Sequence, residues 1–154
     1  MDLTTCKNVS HIPKEQCLLY EYRRRLAEVL EPFLSNATIL DIGCGEGRLW
    51  TYDYFSKIGK YVAGGDVLRS EKWNSWKRKN LDFIVCDAAH LPFKDETFDV
   101  VFEKDSLHHM KNHARVLTEM RRVSRAKVVV VECNRYNPVS YLRMVRMRGH
   151  NHLS

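Results

Sequence analysis

The sequence predicts an α/β fold: a doubly wound, mainly parallel sheet of about five strands with flanking helices. Three observations predict it. Short apolar runs alternate along the chain with amphipathic stretches, which is the pattern of repeated strand–helix–strand units. The run KVVVVE (127–132) is apolar on both faces, as a strand covered on both sides would be. The first strand runs directly into a glycine-rich turn, ILDIGCGEG (39–47). At 154 residues, with 44% apolar and 29% charged side chains, the chain can build one domain around a core.

The elements follow in order. A helix is expected from Ile12-Pro13 to about Phe33, with Leu18, Leu19, Tyr22, Leu26, Val29 and Leu30 on one face. Thr38–Ile42 reads as the first strand, and a helix follows from about Gly47 to Ser56. A second strand covers Tyr61–Gly65, and Ser70 is placed to cap a helix carrying Trp73 and Trp76. Strands at Asp82–Cys86 and Phe98–Phe102 come next, then a helix at Lys111–Ser124 with Val116, Leu117, Met120 and Val123 inward. The fifth strand, 127–132, precedes a last helix bracketed by Pro138 and Gly149. In an open sheet of this kind ligands bind beyond the carboxyl ends of the strands, where the strand order reverses.

Composition excludes several classes. No stretch approaches the roughly 20 apolar residues needed to span a bilayer. The N-terminus, MDLTTCKNVSHIPKEQ, lacks an apolar core followed by small residues, so no secretory signal is expected. Five scattered cysteines (6, 17, 44, 86 and 133) argue against a disulfide scaffold and for a reducing cytoplasm. Cys6, His11 and Cys17 lack zinc-ligand spacing, and His108, His109 and His113 have no matching carboxylate or cysteine, so no metal is expected. The net charge of +6 is uneven: residues 1–114 carry 16 basic and 17 acidic side chains, residues 115–154 carry 9 and 2. A basic end can meet nucleic acid, but no basic run there exceeds three residues, and a solvated face is the simpler account.

The glycine turn is not a dinucleotide fingerprint, which would need glycine where Arg48 stands, and no Lys-Ser/Thr pair makes it a phosphate loop. What strengthens it is the acids that follow. The second strand ends in Asp66, placed to accept from two ribose hydroxyls, and the third in Cys86-Asp87-Ala88, near the same crevice. With these residues the chain resembles the class I S-adenosylmethionine-dependent methyltransferases, most closely the type 11 group, whose core is Rossmann-like. ILDIGCGEG is similar to that family's first motif, VAGGD to its ribose-binding second strand, and CDAAHLPFKDETFDVVF to its adenine-side loop and fourth strand. SLHHM and HARVLTEMRRVSR look like the loop and helix that come next, so the likeness spans about residues 36–135.

The resemblance implies S-adenosyl-L-methionine as cofactor and S-adenosyl-L-homocysteine as product. It puts Gly43, Cys44, Gly45 and Gly47 under the methionine and ribose, and Asp41 behind the loop facing the methionine amino group. Asp66 would hold the ribose with Val67 beside the adenine; Asp87 and Ala88 would meet the adenine edge, and Glu103 would open the loop beside the sulfonium. It divides the chain into an N-terminal helical lid (1–35), a cofactor-binding core (36–135) and a C-terminal helix and tail (136–154). Two departures stand out. Ser124-Arg125-Ala126 replaces the family's Pro-Gly-Gly, and the usual two-strand hairpin after the fifth strand is lacking. The sequence therefore reads as a shortened chain, or as one whose fifth strand is covered by a partner such as a second copy, since soluble proteins avoid an open apolar edge.

Transfer of a methyl from a sulfonium is an in-line displacement that needs mainly proximity and alignment, and a base only when the acceptor must lose a proton. Asp105, His108 and His109, after the fourth strand, are the candidates for that base, weighed against a purely loop-shaping role. His11, Tyr20 and Tyr22 are candidate acceptor-binding residues in the lid. A small-molecule acceptor is the leading expectation. Nucleic acid is not favoured, because EKDSLHHM stands where amino-methylating nucleic-acid enzymes carry their Asn/Asp-Pro-Pro-aromatic motif; methylation of RNA stays open. A non-catalytic cofactor-binding scaffold is the third reading.

Overall fold

The computed structural model describes residues 14–132, with side chains from Leu19 onward. Five strands, β1 (Thr38–Ile42), β2 (Tyr61–Asp66), β3 (Leu81–Val85), β4 (Phe98–Lys104) and β5 (Ser124–Val131), form one sheet in the order β3-β2-β1-β4-β5. Every neighbouring pair is parallel. The order reverses between β1 and β4, so their carboxyl ends flank the crevice where a ligand is expected.

Alternation along the strands feeds two cores, one on each face. Ile39, Val62, Val100 and Phe102 pack under helix α1 (Lys14–Leu34) and under α2, which runs through Arg48–Phe55 and on through Ser56–Ile58. Leu40, Ala63 and Val101 face α3 (His113–Val123) through Val116, Met120 and Val123. α1 contributes Ala27, Leu30 and Leu34, and the chain leaves it through Asn36, whose φ of 58° gives the left-handed turn that ends a helix. Asn112 caps α3 by accepting from the Arg115 N–H.

Two expectations need correction. The helix after the glycine turn begins as a widened coil, with the Tyr52 N–H reaching the Gly47 carbonyl five residues back. The helix expected after Ser70 is a single short turn, Glu71–Ser75; Ser70 does cap it, but the indoles of Trp73 and Trp76 bond back to the glycine loop instead of extending a helix. As expected, β5 is an edge strand, bonded to β4 on one side and to no other strand among the described residues. Val128 packs toward α3 and Val129 and Val131 toward α1, as a strand covered on both faces requires, yet Val130 is 40% exposed. The last helix, expected between Pro138 and Gly149, lies outside the described residues.

One ion-paired carboxylate ties the β3–β4 connection to α3. Glu119, 5% exposed, accepts from the Leu91 N–H at 3.0 Å and from Arg122 Nη2 at 2.7 Å. Arg122 also donates to the Leu91 and Phe93 carbonyls. The Arg122 hydrogen bond holds the Glu119 carboxyl down at about 2, so its stabilisation is present above the ordinary value of 4.5 and is lost as pH falls toward 2. Glu119→Gln is expected to cost about 2 kcal/mol at pH 7 and much less at pH 2, by denaturant unfolding at the two pH values.

Candidate functional site

The site is built by the turn that leaves β1. Gly43, Gly45 and Gly47 all have positive φ (71°, 55° and 72°), a conformation costly for any residue with a Cβ. At two of them a side chain would also collide: a Cβ on Gly43 would lie 2.2 Å from Ser106 Oγ, and one on Gly47 2.3 Å from the Phe83 ring. The amides of Gly43 and Cys44 both donate to the Gly65 carbonyl of β2, at 2.8 and 3.1 Å. Asp66 closes the arrangement, Oδ2 accepting from the Gly45 N–H at 2.9 Å and Oδ1 from the Leu68 N–H at 3.0 Å. Asp87, at the end of β3, accepts from the Ala89 N–H, and this bond, with one from His90, holds its carboxyl below the ordinary carboxylate range.

These elements surround a cleft of about 640 Å³ at the carboxyl ends of β1, β2, β3 and β4. Of the residues singled out from the sequence, Gly43, Asp66, Val67, Asp87, Ala88, Asp105 and His109 line it. Val67 is 66% exposed and presents an apolar side chain at the rim. Asp41 lies behind the loop, 4% exposed, accepting from Thr51 Oγ1 at 2.6 Å. Burial, with help from the neighbouring Glu103 and Asp66 charges and against the Thr51 bond, lifts its carboxyl to about 7. Cys44 and Cys86 are free thiols; burial pushes Cys86 up to about 11 and Cys44 higher, so neither is an activated nucleophile.

Glu103 is fully buried and does not line the cleft; it builds the loop that does. Oε1 accepts from the Ser106 N–H (2.6 Å), the Ser106 hydroxyl (2.9 Å) and the Leu107 N–H (2.8 Å). Burial outweighs these bonds and holds its carboxyl above the ordinary range, with the Glu132 charge acting in the same direction. Asp105, at φ 54°, starts this loop, its N–H donating to the Val131 carbonyl and its carboxylate paired with Lys104.

The two histidines separate here. His109 faces the cleft, whereas His108 turns toward the end of β5, where Nδ1 meets Glu132 Oε2 at 2.7 Å and its backbone N–H donates to Oε1 at 3.4 Å. Their rings remain in contact, with centroids 4.0 Å apart. Burial works against ionising Glu132, but the His108 bond and charge bring it below the ordinary range. Tyr20 is half-buried on α1, and Tyr22 lies 48% exposed with Lys104 Nζ 5.7 Å from its ring centroid; neither lines the cleft. His11 lies outside the described residues.

Sequence reasoning missed Glu132, Thr51 and the two tryptophans. Glu132 had a findable signal, since it follows a parallel strand at its carboxyl end. Among the described residues no three His, Cys, Asp or Glu side chains come close enough to hold a metal ion, and no helix is long and apolar enough to cross a membrane.

A parallel sheet in this order, with a glycine turn after β1 and an acid after β2 and β3, defines a nucleoside-cofactor-binding α/β domain. Comparison with known proteins narrows the class: residues 40–131 match the family described as methyltransferase domain, and the chain belongs to that family. The 27-O-demethylrifamycin SV methyltransferase of Amycolatopsis mediterranei is 35% identical over 108 residues, covering 66% of this chain and 39% of that protein. The chain spans between a third and two fifths of the length of three curated relatives it matches. Among solved structures, a SAM-dependent methyltransferase from Aquifex aeolicus superposes with a TM-score of 0.60 at 23% identity, covering 82% of this chain and 76% of that one. The 1,6-didemethyltoxoflavin-N1-methyltransferase of Burkholderia thailandensis, crystallised with bound 1,6-didemethyltoxoflavin and S-adenosylhomocysteine, gives 0.60 at 19%, covering 80% and 65%.

Proposed function

We propose that this chain binds S-adenosyl-L-methionine in the cleft and methylates a small molecule. The observation that carries the reading is the Asp66 carboxylate tied to the glycine loop at the cleft wall, with Asp87 on the next strand. The residues present fit such a cofactor: Gly43 lines the wall, where a Cβ would strike Ser106 of the same cleft, and Val67 and Ala88 offer apolar surface for a base between two carboxylates suited to hydroxyl and amino donors. A bound sulfonium supplies an activated methyl group, so the protein's part is placement. The rifamycin relative, a small-molecule methyltransferase by its name, supports a small acceptor.

Calorimetric titration with S-adenosylmethionine and S-adenosylhomocysteine tests this reading. The wild-type chain is expected to bind both, and Asp66→Ala to weaken binding by about a hundredfold through lost charge-assisted hydrogen bonds. No heat from a folded wild-type chain overturns it. Cofactor binding without turnover on any acceptor would favour the scaffold reading, and salt-sensitive RNA binding the RNA one.

His109 and Asp105 line the cleft and are placed to take a proton from an acceptor such as a hydroxyl. His108 does not line it: Glu132 holds its Nδ1 and its Nε2 is buried, so the pair fixes the loop that carries the other two. His109→Gln is expected to lower kcat about a hundredfold with the cofactor Kd unchanged. An unchanged kcat would remove His109 from the chemistry.

A further inference from the structure

The connection from β2 to β3, residues 67–80, carries two indoles whose N–H groups both end on the glycine loop. Trp73 Nε1 donates to the Gly45 carbonyl and Trp76 Nε1 to the Glu46 carbonyl, each at 2.8 Å. Lys72 Nζ adds an ion pair to the Glu46 carboxylate at 2.6 Å. Each ring is itself anchored. Trp73, 7% exposed, stacks on Phe83 of β3 with centroids 5.1 Å apart and planes 12° apart, and Phe83 is the ring that a Cβ on Gly47 would strike. Trp76 lies 5.0 Å from Tyr52 in α2, with Arg48 Cζ 5.8 Å from its ring centroid.

From this geometry we infer that Trp73 and Trp76 are positioning residues for the cofactor, acting through the loop that cradles it; the inference rests on the cofactor reading above. A turn with three positive-φ glycines has few side chains to fix it, and ordering such a backbone at the moment of binding would weaken affinity. Here both carbonyls at its tip are held from outside by flat, rigid donors braced on a strand and a helix. Gly45 and Glu46 are exposed, so water can replace the indole bonds at little cost to folding. The loss should therefore appear in cofactor affinity and hardly at all in global stability.

The test uses Trp73→Phe and Trp76→Phe, which keep an aromatic ring and remove the donor. S-adenosylhomocysteine is the titrant, and Val123→Ala, in the core at the end of α3 beside the start of β4, is the control for lost stability. Each Phe variant is expected to raise the Kd about three- to tenfold, one hydrogen bond's worth. Val123→Ala should lower the unfolding midpoint and leave the Kd unchanged. Indole emission should shift on binding in the wild type and stay constant in the double Phe variant, where Trp50 is the remaining tryptophan. Trp76 is half-buried, so Trp76→Phe carries the test if Trp73→Phe does not fold. Unchanged Kd in the Phe variants, with a wild type that binds, overturns the inference and leaves the cofactor reading standing. A folded wild type that does not bind overturns both.

Discussion

Gly43→Ala should all but abolish cofactor binding and lower stability by about 2–5 kcal/mol, combining left-handed strain of roughly 1–2 kcal/mol with overpacking of roughly 1–3 kcal/mol. At φ 71° an alanine Cβ would sit 2.2 Å from Ser106 Oγ and 2.5 Å from Ser106 Cβ. Ser106 cannot step aside cheaply, because its N–H and hydroxyl are both bonded to the buried Glu103. The clash therefore travels into the loop that forms the opposite wall of the cleft. Gly45→Ala is the matched comparison. Its φ is also positive, at 55°, but a Cβ there meets nothing within 4 Å, so it should cost only about 1 kcal/mol and a modest loss of affinity. Thermal unfolding and S-adenosylhomocysteine titration of the two variants separate collision from strain. Equal behaviour would mean that the contact between Gly43 and Ser106 is not what shapes the cleft.

That contact illustrates what the sequence shows and what it hides. The glycines after β1 are legible because alternate glycines behind an apolar strand have few uses, and Asp66 and Asp87 because parallel strands deliver their last residues to one crevice. The five strands were legible for the same local reason, each being a short apolar run between breakers. Ser106 and Glu103 as a unit were not, since their pairing with Gly43 depends on β1 and β4 lying side by side across more than sixty residues. Trp73 and Trp76, three apart behind the capping Ser70, have the spacing of a helix face. Their hydrogen bonds to Gly45 and Glu46 are tertiary, and they override the local preference. The edge position of β5 was expected from the resemblance and not from the strand's own residues. A run of valines reports burial of two faces, which Val128 and Val129 do show, but says nothing about whether a neighbour lies beyond its backbone. His108 and His109 are adjacent in sequence and so cannot share one direction; only the position of Glu132 decides which of them faces the cleft.

Asp41→Asn is expected to make the cofactor-free protein more stable at pH 8, by about 2–3 kcal/mol, while leaving it unchanged or slightly weaker at pH 4. The carboxyl titrates near 7 in the folded chain against 3.8 in an exposed one, so the folded state binds more protons between those values. Stability from this group is complete below 3.8 and is lost as pH rises through 7, where the full cost reaches up to about 4 kcal/mol. An asparagine keeps the acceptor for Thr51 and removes the charge, at the smaller cost of a buried amide. A buried acid so expensive at neutral pH needs a counter-charge to repay it, and the resemblance puts the cationic amino group of the cofactor's methionine opposite Asp41. Binding should then draw the carboxyl back toward its ordinary range and release protons near pH 7, read as a dependence of binding heat on buffer ionisation enthalpy. The Asn variant should bind more weakly and release none from this site. If it is instead no more stable than the wild type at pH 8, Asp41 is not charged at a cost, and its burial belongs to the packing of the loop alone.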